Sequence, residues 1–209
     1  LERKQHNVEF TLVRESGWMS MGRYAQPAVD ERQITRRIAA GDREALSELY
    51  AHYQRALFNY LLQLTPDYGL AEEILQDTLV AVWQSAHRFE GRSSLQTWLI
   101  GIARRQAHNT LRQHKLPVAD ESEMESLVAT EPEPEAFTLA NVARDELAQA
   151  FRQLAPLHRE VLVLTFVQEL SYQETASILE VPVGTVKSRI CNARRALRAL
   201  LDAREEARQ

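Results

Sequence analysis

The sequence predicts an all-α protein: two small helical domains joined by a flexible acidic linker. Three observations carry that prediction. Apolar residues recur at three- and four-residue spacing through most of the chain. Only seven glycines and seven prolines punctuate 209 residues, which leaves room for few turns. Charge is segregated, with seven acidic residues between Asp120 and Glu135 and the arginines gathered in two zones on either side. The length allows one large or two small domains, and a hydrophobic fraction of 44% can support a core.

Composition also narrows the function. A single cysteine, Cys191, excludes a disulfide framework and fits a reducing, cytoplasmic setting. There is no apolar run of about 18 residues, so no membrane insertion is expected, and no signal-peptide pattern is present. The six histidines (6, 52, 87, 108, 114 and 158) show no zinc spacing with Cys191. No metal, no cofactor and no catalytic constellation is expected. The net charge of −4 argues against a nucleic-acid partner only until it is resolved along the chain.

Residues 1–30 are poorly patterned. The chain starts at Leu1 while Met19 and Met21 stand ahead of the first periodic segment, so Leu1 is read as an alternative start codon or an over-extended reading frame, against a mobile N-terminal arm. From Asp30 to Leu64 the spacing of Ile34, Ile38, Leu46, Leu49, Tyr53, Leu57, Tyr60, Leu61 and Leu64 predicts helix, broken at Gly41-Asp42. Residues 65–69, TPDYG, form a turn cluster. A helix over 70–86 turns Ile74, Leu75, Leu79, Val82 and Trp83 inward and Glu72, Glu73, Gln76 and Asp77 outward. Adjacent carboxylates suit acid–base work, but no nucleophile, metal set or phosphate loop accompanies them. The patch reads as a solvated or partner-binding face.

Residues 87–94, HRFEGRSS, form a polar loop carrying Phe89, Arg92 and Ser93. The long helix that follows is lined by Leu95, Trp98, Leu99, Ile102 and Leu111, with Trp98 expected in the core. Arg92, Arg104, Arg105, Arg112 and Lys115 make this a basic zone opposed only by Glu90. Cationic charge beside aromatic rings suits single-stranded nucleic acid, whose phosphates pair with arginine and whose unstacked bases seek a ring or pocket. The stretch 117–138 combines the seven acidic residues with three prolines and no base, and cannot bury enough apolar surface to order itself.

Beyond it, Leu139, Val142, Leu147 and Phe151 line one helix, and Leu157 to Val167 reads as the core helix of a second domain. Ser171-Tyr172-Gln173-Glu174 has the capping-box pattern ahead of a short helix with Ala176, Ile178 and Leu179 inside. Pro182 breaks the chain. The next helix buries Val186, Ile190, Ala193, Leu197 and Leu200, and turns out Thr185, Lys187, Ser188, Asn192, Arg194 and Arg195. Five basic residues and no acidic one lie between Thr185 and Leu201. A short helix, a turn and a longer helix with a basic outer face describe a helix-turn-helix reader of duplex DNA.

These residues also carry a family resemblance. GTVKSR (184–189), followed by Ala193-Arg194, is similar to region 4 of bacterial sigma factors, and LAPLHREVLVLTF (154–166) to the helix before it there. AEEILQDTLVAVW (71–83) resembles the region 2 helix that docks on the polymerase clamp. LQTWLIGIARRQAHNTLR (95–112) is similar to the promoter-melting and −10-reading helices of the extracytoplasmic-function (ECF) group. The resemblance implies four segments: an extension at 1–30, region 2 at 31–116, a linker at 117–138 and region 4 at 139–205. It implies a sigma factor that binds core RNA polymerase through clamp and flap, recognises −35 and −10 promoter DNA, melts it, and answers to an anti-sigma factor. Thr185, Lys187, Ser188, Asn192, Arg194 and Arg195 then face the −35 element. Phe89, Arg92, Ser93, Arg105 and Asn109 handle the −10 strand, and Glu72, Glu73, Gln76 and Asp77 meet the polymerase. The sequence departs from the family at Leu70, commonly Asp, where a cap is in doubt; at Arg105, often Asn; at Glu180, usually a turn glycine; and at Asn192, frequently Arg. Glu180 is therefore expected at positive φ. The alternatives are a stand-alone helix-turn-helix regulator, which leaves the acidic patch at 72–77 without a partner, and an adaptor mimicking region 4, which needs no cationic recognition helix.

Overall fold

The structure, a computed structural model, describes residues 30–65, 67–114 and 139–206, and every described element is helical. The extension up to residue 29 and the linker 117–138 lie outside the described residues. Backbone proximity divides the described chain into two units, one of residues 30–114 with 173–181, the other of 139–172 with 182–206.

In the first unit four helix starts are each set by an Asp or Ser side chain that satisfies orphan backbone donors. Asp30 caps α1 (Glu31–Ala39), accepting from the N–H groups of Arg32 and Gln33, both at 3.1 Å. Gly41, at φ 87°, reverses the chain, and Asp42 caps α2 (Arg43–Leu64) by accepting from Glu44 N at 2.9 Å and Ala45 N at 3.2 Å. Arg37 locks this corner. Its Nε donates to Asp42 Oδ2 at 2.7 Å and its two terminal nitrogens grip the Glu48 carboxylate at 2.8 and 3.0 Å. The hydrogen bond from Arg37 holds the Asp42 carboxyl below its ordinary range. Asp67 caps α3 (Tyr68–Ser85), its Oδ1 accepting from Leu70 N at 3.0 Å. The cap in doubt at Leu70 is thus supplied by Asp67, and Leu70 itself is buried.

A 3₁₀ turn (Ala86–Arg88) leads through residues 89–94 into α4 (Leu95–Gln113). Leu49, Leu57, Tyr60, Leu61, Ile74, Leu95, Leu99 and Ile100 are fully buried where α2, α3 and α4 meet. Each such side chain is worth about 1.5–3 kcal/mol over exposure. Leu79, Trp83, Trp98 and Ile102, expected inside, are only half-buried. Ile100 and Ala103 carry the core there instead.

In the second unit α5 (Leu139–Arg152) and α6 (Pro156–Leu162) both pack on α8 (Val183–Glu206), and Arg204 Nη1 donates to Gln149 Oε1 at 2.6 Å. The single helix expected over 157–167 widens into a π-type turn at Val163–Val167. Gln168 N reaches back five residues to Val163 O at 2.9 Å, and Leu170 N bonds Leu164 O at 3.1 Å. Glu169, between them, sits at φ 54° and turns the chain out of the helix. Short α7 (Tyr172–Leu179), most of which falls with the first unit, starts directly after Ser171, and its Ala176, Ile178 and Leu179 are buried. After three intervening residues α8 begins, and Glu180 in that turn has φ 58°, as its place in the turn requires.

Candidate nucleic-acid and polymerase interfaces

On α8 the buried stripe is Val186, Ile190, Ala193 and Leu197, with Leu200 at its half-buried edge. That stripe faces α6, so 3.6-residue periodicity pushes the opposite side into solvent. Lys187, Ser188, Cys191, Asn192, Arg195 and Arg198 are all exposed there, and Thr185 is half-buried at its upper end. Thr185, Ser188, Asn192 and Arg195 follow one another at spacings of three or four, which aligns them on one line of the helix. Ser188 Oγ donates to Thr185 O at 3.0 Å, which keeps that hydroxyl close to the helix. Arg194 stands apart from this group. It is half-buried, with its guanidinium 5.1 Å from the Phe166 ring centroid, a cation–π contact inside the unit. His158 lies near this helix, and burial, then the charge of Arg189, lowers its pKa.

In the first unit the loop residues assemble around the start of α4. Phe89, half-buried, packs on Trp98 with ring centroids 5.3 Å apart at 57°. Trp98 therefore serves as the floor under Phe89 rather than as core. Arg92 points into solvent and pairs with Glu90 at 2.9 Å, both strongly exposed, so the pair is weak. Ser93 is half-buried, and Ser94 caps α4 by accepting from Thr97 N at 3.2 Å. Arg105 and Asn109 lie one turn apart on the exposed side of α4. A cleft of about 110 Å³ runs between α1 and this loop, lined by Arg32, Thr35, Arg36, Phe89 and Glu90. Glu31, at the mouth of α1, accepts from Leu95 N at 2.9 Å. Burial, together with that carboxylate, pushes the Tyr53 hydroxyl up to about 12.

The third face is on α3. Leu70, Ala71, Ile74, Leu75, Thr78 and Val82 are buried, and Glu72, Glu73, Gln76 and Asp77 are exposed together on the other side. Two residues join them that charge alone does not single out: Tyr68 is 62% exposed and Val80 55%. Val80 lies four residues beyond Gln76 and Tyr68 four before Glu72, so an apolar group stands at each end of the acidic patch. The described residues contain no group of three or more His, Cys, Asp or Glu able to hold a metal ion, and no helix among them is long and apolar enough to cross a membrane.

Two basic faces of different chemistry, one on a long helix after a tight turn and one beside a ring-bearing loop, define a helical nucleic-acid-binding protein. Residues 49–116 match the family model Sigma-70 region 2, and residues 144–197 match Sigma-70, region 4. The RNA polymerase sigma factor YlaC of Bacillus subtilis is 33% identical over 169 residues, covering 79% of this chain and 98% of YlaC. The ECF RNA polymerase sigma factor RpoE of Cereibacter sphaeroides is 31% identical over 153 residues, covering 71% of this chain and 82% of that one. Among solved structures, CnrH in complex with the cytosolic domain of CnrY superposes with a TM-score of 0.60 at 25% identity, covering 83% of this chain and 97% of that one. The sigma factor RpoE in complex with the anti-sigma factor NepR from Bartonella quintana gives 0.56 at 26%, covering 75% and 96%. The chain belongs to the ECF sigma factors of bacterial RNA polymerase.

Proposed function

We propose that this sigma factor divides promoter recognition between its two basic faces and docks on core RNA polymerase through the outer side of α3. Thr185, Ser188, Asn192 and Arg195 enter the major groove of the −35 element, with Lys187 holding phosphate. Arg194, turned onto Phe166, supports the helix and reaches a phosphate only at its edge. Asn192 suits adenine, which it can pair bidentately. Phe89, Arg92, Ser93, Arg105 and Asn109 take the unpaired −10 strand, by ring stacking and charge. Glu72, Glu73, Gln76 and Asp77, with Tyr68 and Val80, meet the clamp, and the region 4 unit meets the flap. The protein acts as a transcription initiation factor without catalysis of its own, in the cytoplasm where the polymerase works, under an anti-sigma factor. The domain limits follow from this division: 31–116 for region 2 and 139–205 for region 4, with 117–138 as the leash.

The observation that carries the proposal is the pair of separate cationic faces, one suited to duplex and one to opened DNA. Run-off transcription with purified core polymerase on the chain's own upstream region tests it. The expected result is a start-specific transcript that depends on the −35 element and loses that dependence in Lys187→Ala and Arg195→Ala. Unchanged −35 dependence in both variants would remove α8 from this role, and failure to bind core would favour a stand-alone regulator.

A further inference from the structure

The loop that carries Phe89, Arg92 and Ser93 is held from outside its own sequence neighbourhood. Leu95 is the first residue of α4, and its N–H is one of the donors that no helix can satisfy internally. Ser94 covers Thr97 N, two residues further on. The Leu95 donor is met by Glu31 Oε2 at 2.9 Å, across 64 residues of sequence. The carboxylate also lies at the positive end of the α4 dipole, which strengthens the contact. Glu31 is itself fixed, because Asp30 caps the first turn of α1 through Arg32 N and Gln33 N. Arg32 adds a second restraint. A Cβ at Gly91 would meet Arg32 Nε at 3.1 Å, so the guanidinium lies close against the loop backbone where Gly91 takes φ 69°. α1 thus grips both ends of residues 91–95, and the cleft beneath Phe89 opens between the two.

We infer that Glu31 is a positioning residue for capture of the opened promoter strand: its carboxylate fixes the N-terminus of α4 and with it the geometry of the −10 loop. Glu31 touches no DNA in this arrangement. It acts through Leu95, and the inference rests on the proposed reading of the loop as the −10 site.

The test compares Glu31→Ala, which deletes the acceptor, with Glu31→Gln, whose carbonyl oxygen still accepts from Leu95 N. Each is assembled with core polymerase on the template that yields a transcript. Permanganate reactivity of −10 thymines reads strand opening, and a separate titration reads core affinity. Loss of this hydrogen bond, felt only in part at the loop, predicts opening about three- to tenfold weaker in Glu31→Ala, and a smaller loss in Glu31→Gln, which keeps the acceptor but not the charge. Core affinity stays unchanged in both. Amide exchange at Leu95 in the free protein should speed up in Glu31→Ala alone. Equal opening in all three proteins overturns the inference, as does a joint loss of opening and core affinity, or a Glu31→Gln as deficient as Glu31→Ala. Phe89→Ala and Arg92→Ala separate the two layers. If they open DNA normally, the reading of the loop falls; if they are deficient and Glu31→Ala is not, only the role of Glu31 falls.

Discussion

At the scale of single residues, two positions show the fold accepting a local cost. Glu180 sits at φ 58° in the turn before α8, a conformation that costs an L residue with a Cβ about 1–2 kcal/mol. It is exposed, so nothing in its packing offsets the strain. Glu180→Gly should stabilise the protein by about 0.5–1 kcal/mol, the relief of strain exceeding glycine's extra unfolded-state entropy. Urea denaturation would show it as a higher midpoint with an unchanged slope. Glu180→Val, β-branched, should move the midpoint the other way. His158 carries a different cost. Burial, then Arg189, lowers its pKa below the ordinary 6.5, so the fold favours the neutral ring. This contribution is fully present above pH 6.5 and is lost as pH falls through the window from 6.5 down to the folded value, because the unfolded chain binds the proton first. His158→Gln should flatten the stability profile below about pH 6.5. An acid limb as steep in the variant as in wild type would exclude His158 as its source.

At the scale of elements, α3 has two sides of different make-up. Its buried side is closed against α2 and α4, and its outer side holds four polar residues with Tyr68 and Val80 at the ends. Because the outer residues touch no core, Glu73→Lys with Asp77→Lys should leave the melting temperature nearly unchanged. It should weaken core polymerase binding by roughly tenfold or more, since a reversed charge meets a complementary surface as repulsion. A pull-down titration with core checks both halves, and unchanged affinity would move the docking face elsewhere. The helices themselves were legible because periodicity depends on residues three and four apart: the break at Gly41-Asp42, the stripe of α8 and the polar face of α3 all follow from spacing. What spacing does not carry is contact between distant segments. The bond from Leu95 to Glu31 spans 64 residues, and the Trp98 floor under Phe89 depends on how the loop returns, so Trp98 reads as core until the loop is placed. The π turn at Val163–Val167 is likewise invisible to an apolar run, which fits an α-helix equally well. Arg194 and Arg195 are adjacent cations in sequence, yet only the helical rotation between them puts one on Phe166 and the other in solvent.

At the scale of the whole molecule, net charge conceals the design. Setting aside the seven acidic residues at 120–135 turns the chain's −4 into +3 for the remainder. The cations among that remainder include the exposed Lys187 and Arg195 of α8 and Arg92 and Arg105 of the first unit. A covalently attached polyanion acts on such faces in two ways: it repels DNA, and it competes with DNA for the cations as an intramolecular partner at high effective concentration. Both effects weaken binding of the free chain to DNA of any sequence, and both are electrostatic. Replacing Asp120 with Asn and Glu121, Glu123, Glu125, Glu131, Glu133 and Glu135 with Gln should therefore raise affinity for random duplex DNA about tenfold or more at low salt. The gain should shrink as ionic strength rises, since the Debye length falls to about 10 Å at 0.1 M. Fluorescence anisotropy with a labelled random duplex, across a salt series and without polymerase, measures it. The outcome separates two roles for the linker. A variant that binds DNA no better than wild type at any salt makes residues 117–138 a spacer whose charge is indifferent to DNA. A salt-sensitive gain makes the acidic stretch an electrostatic brake on DNA binding by the two cationic faces of the free chain.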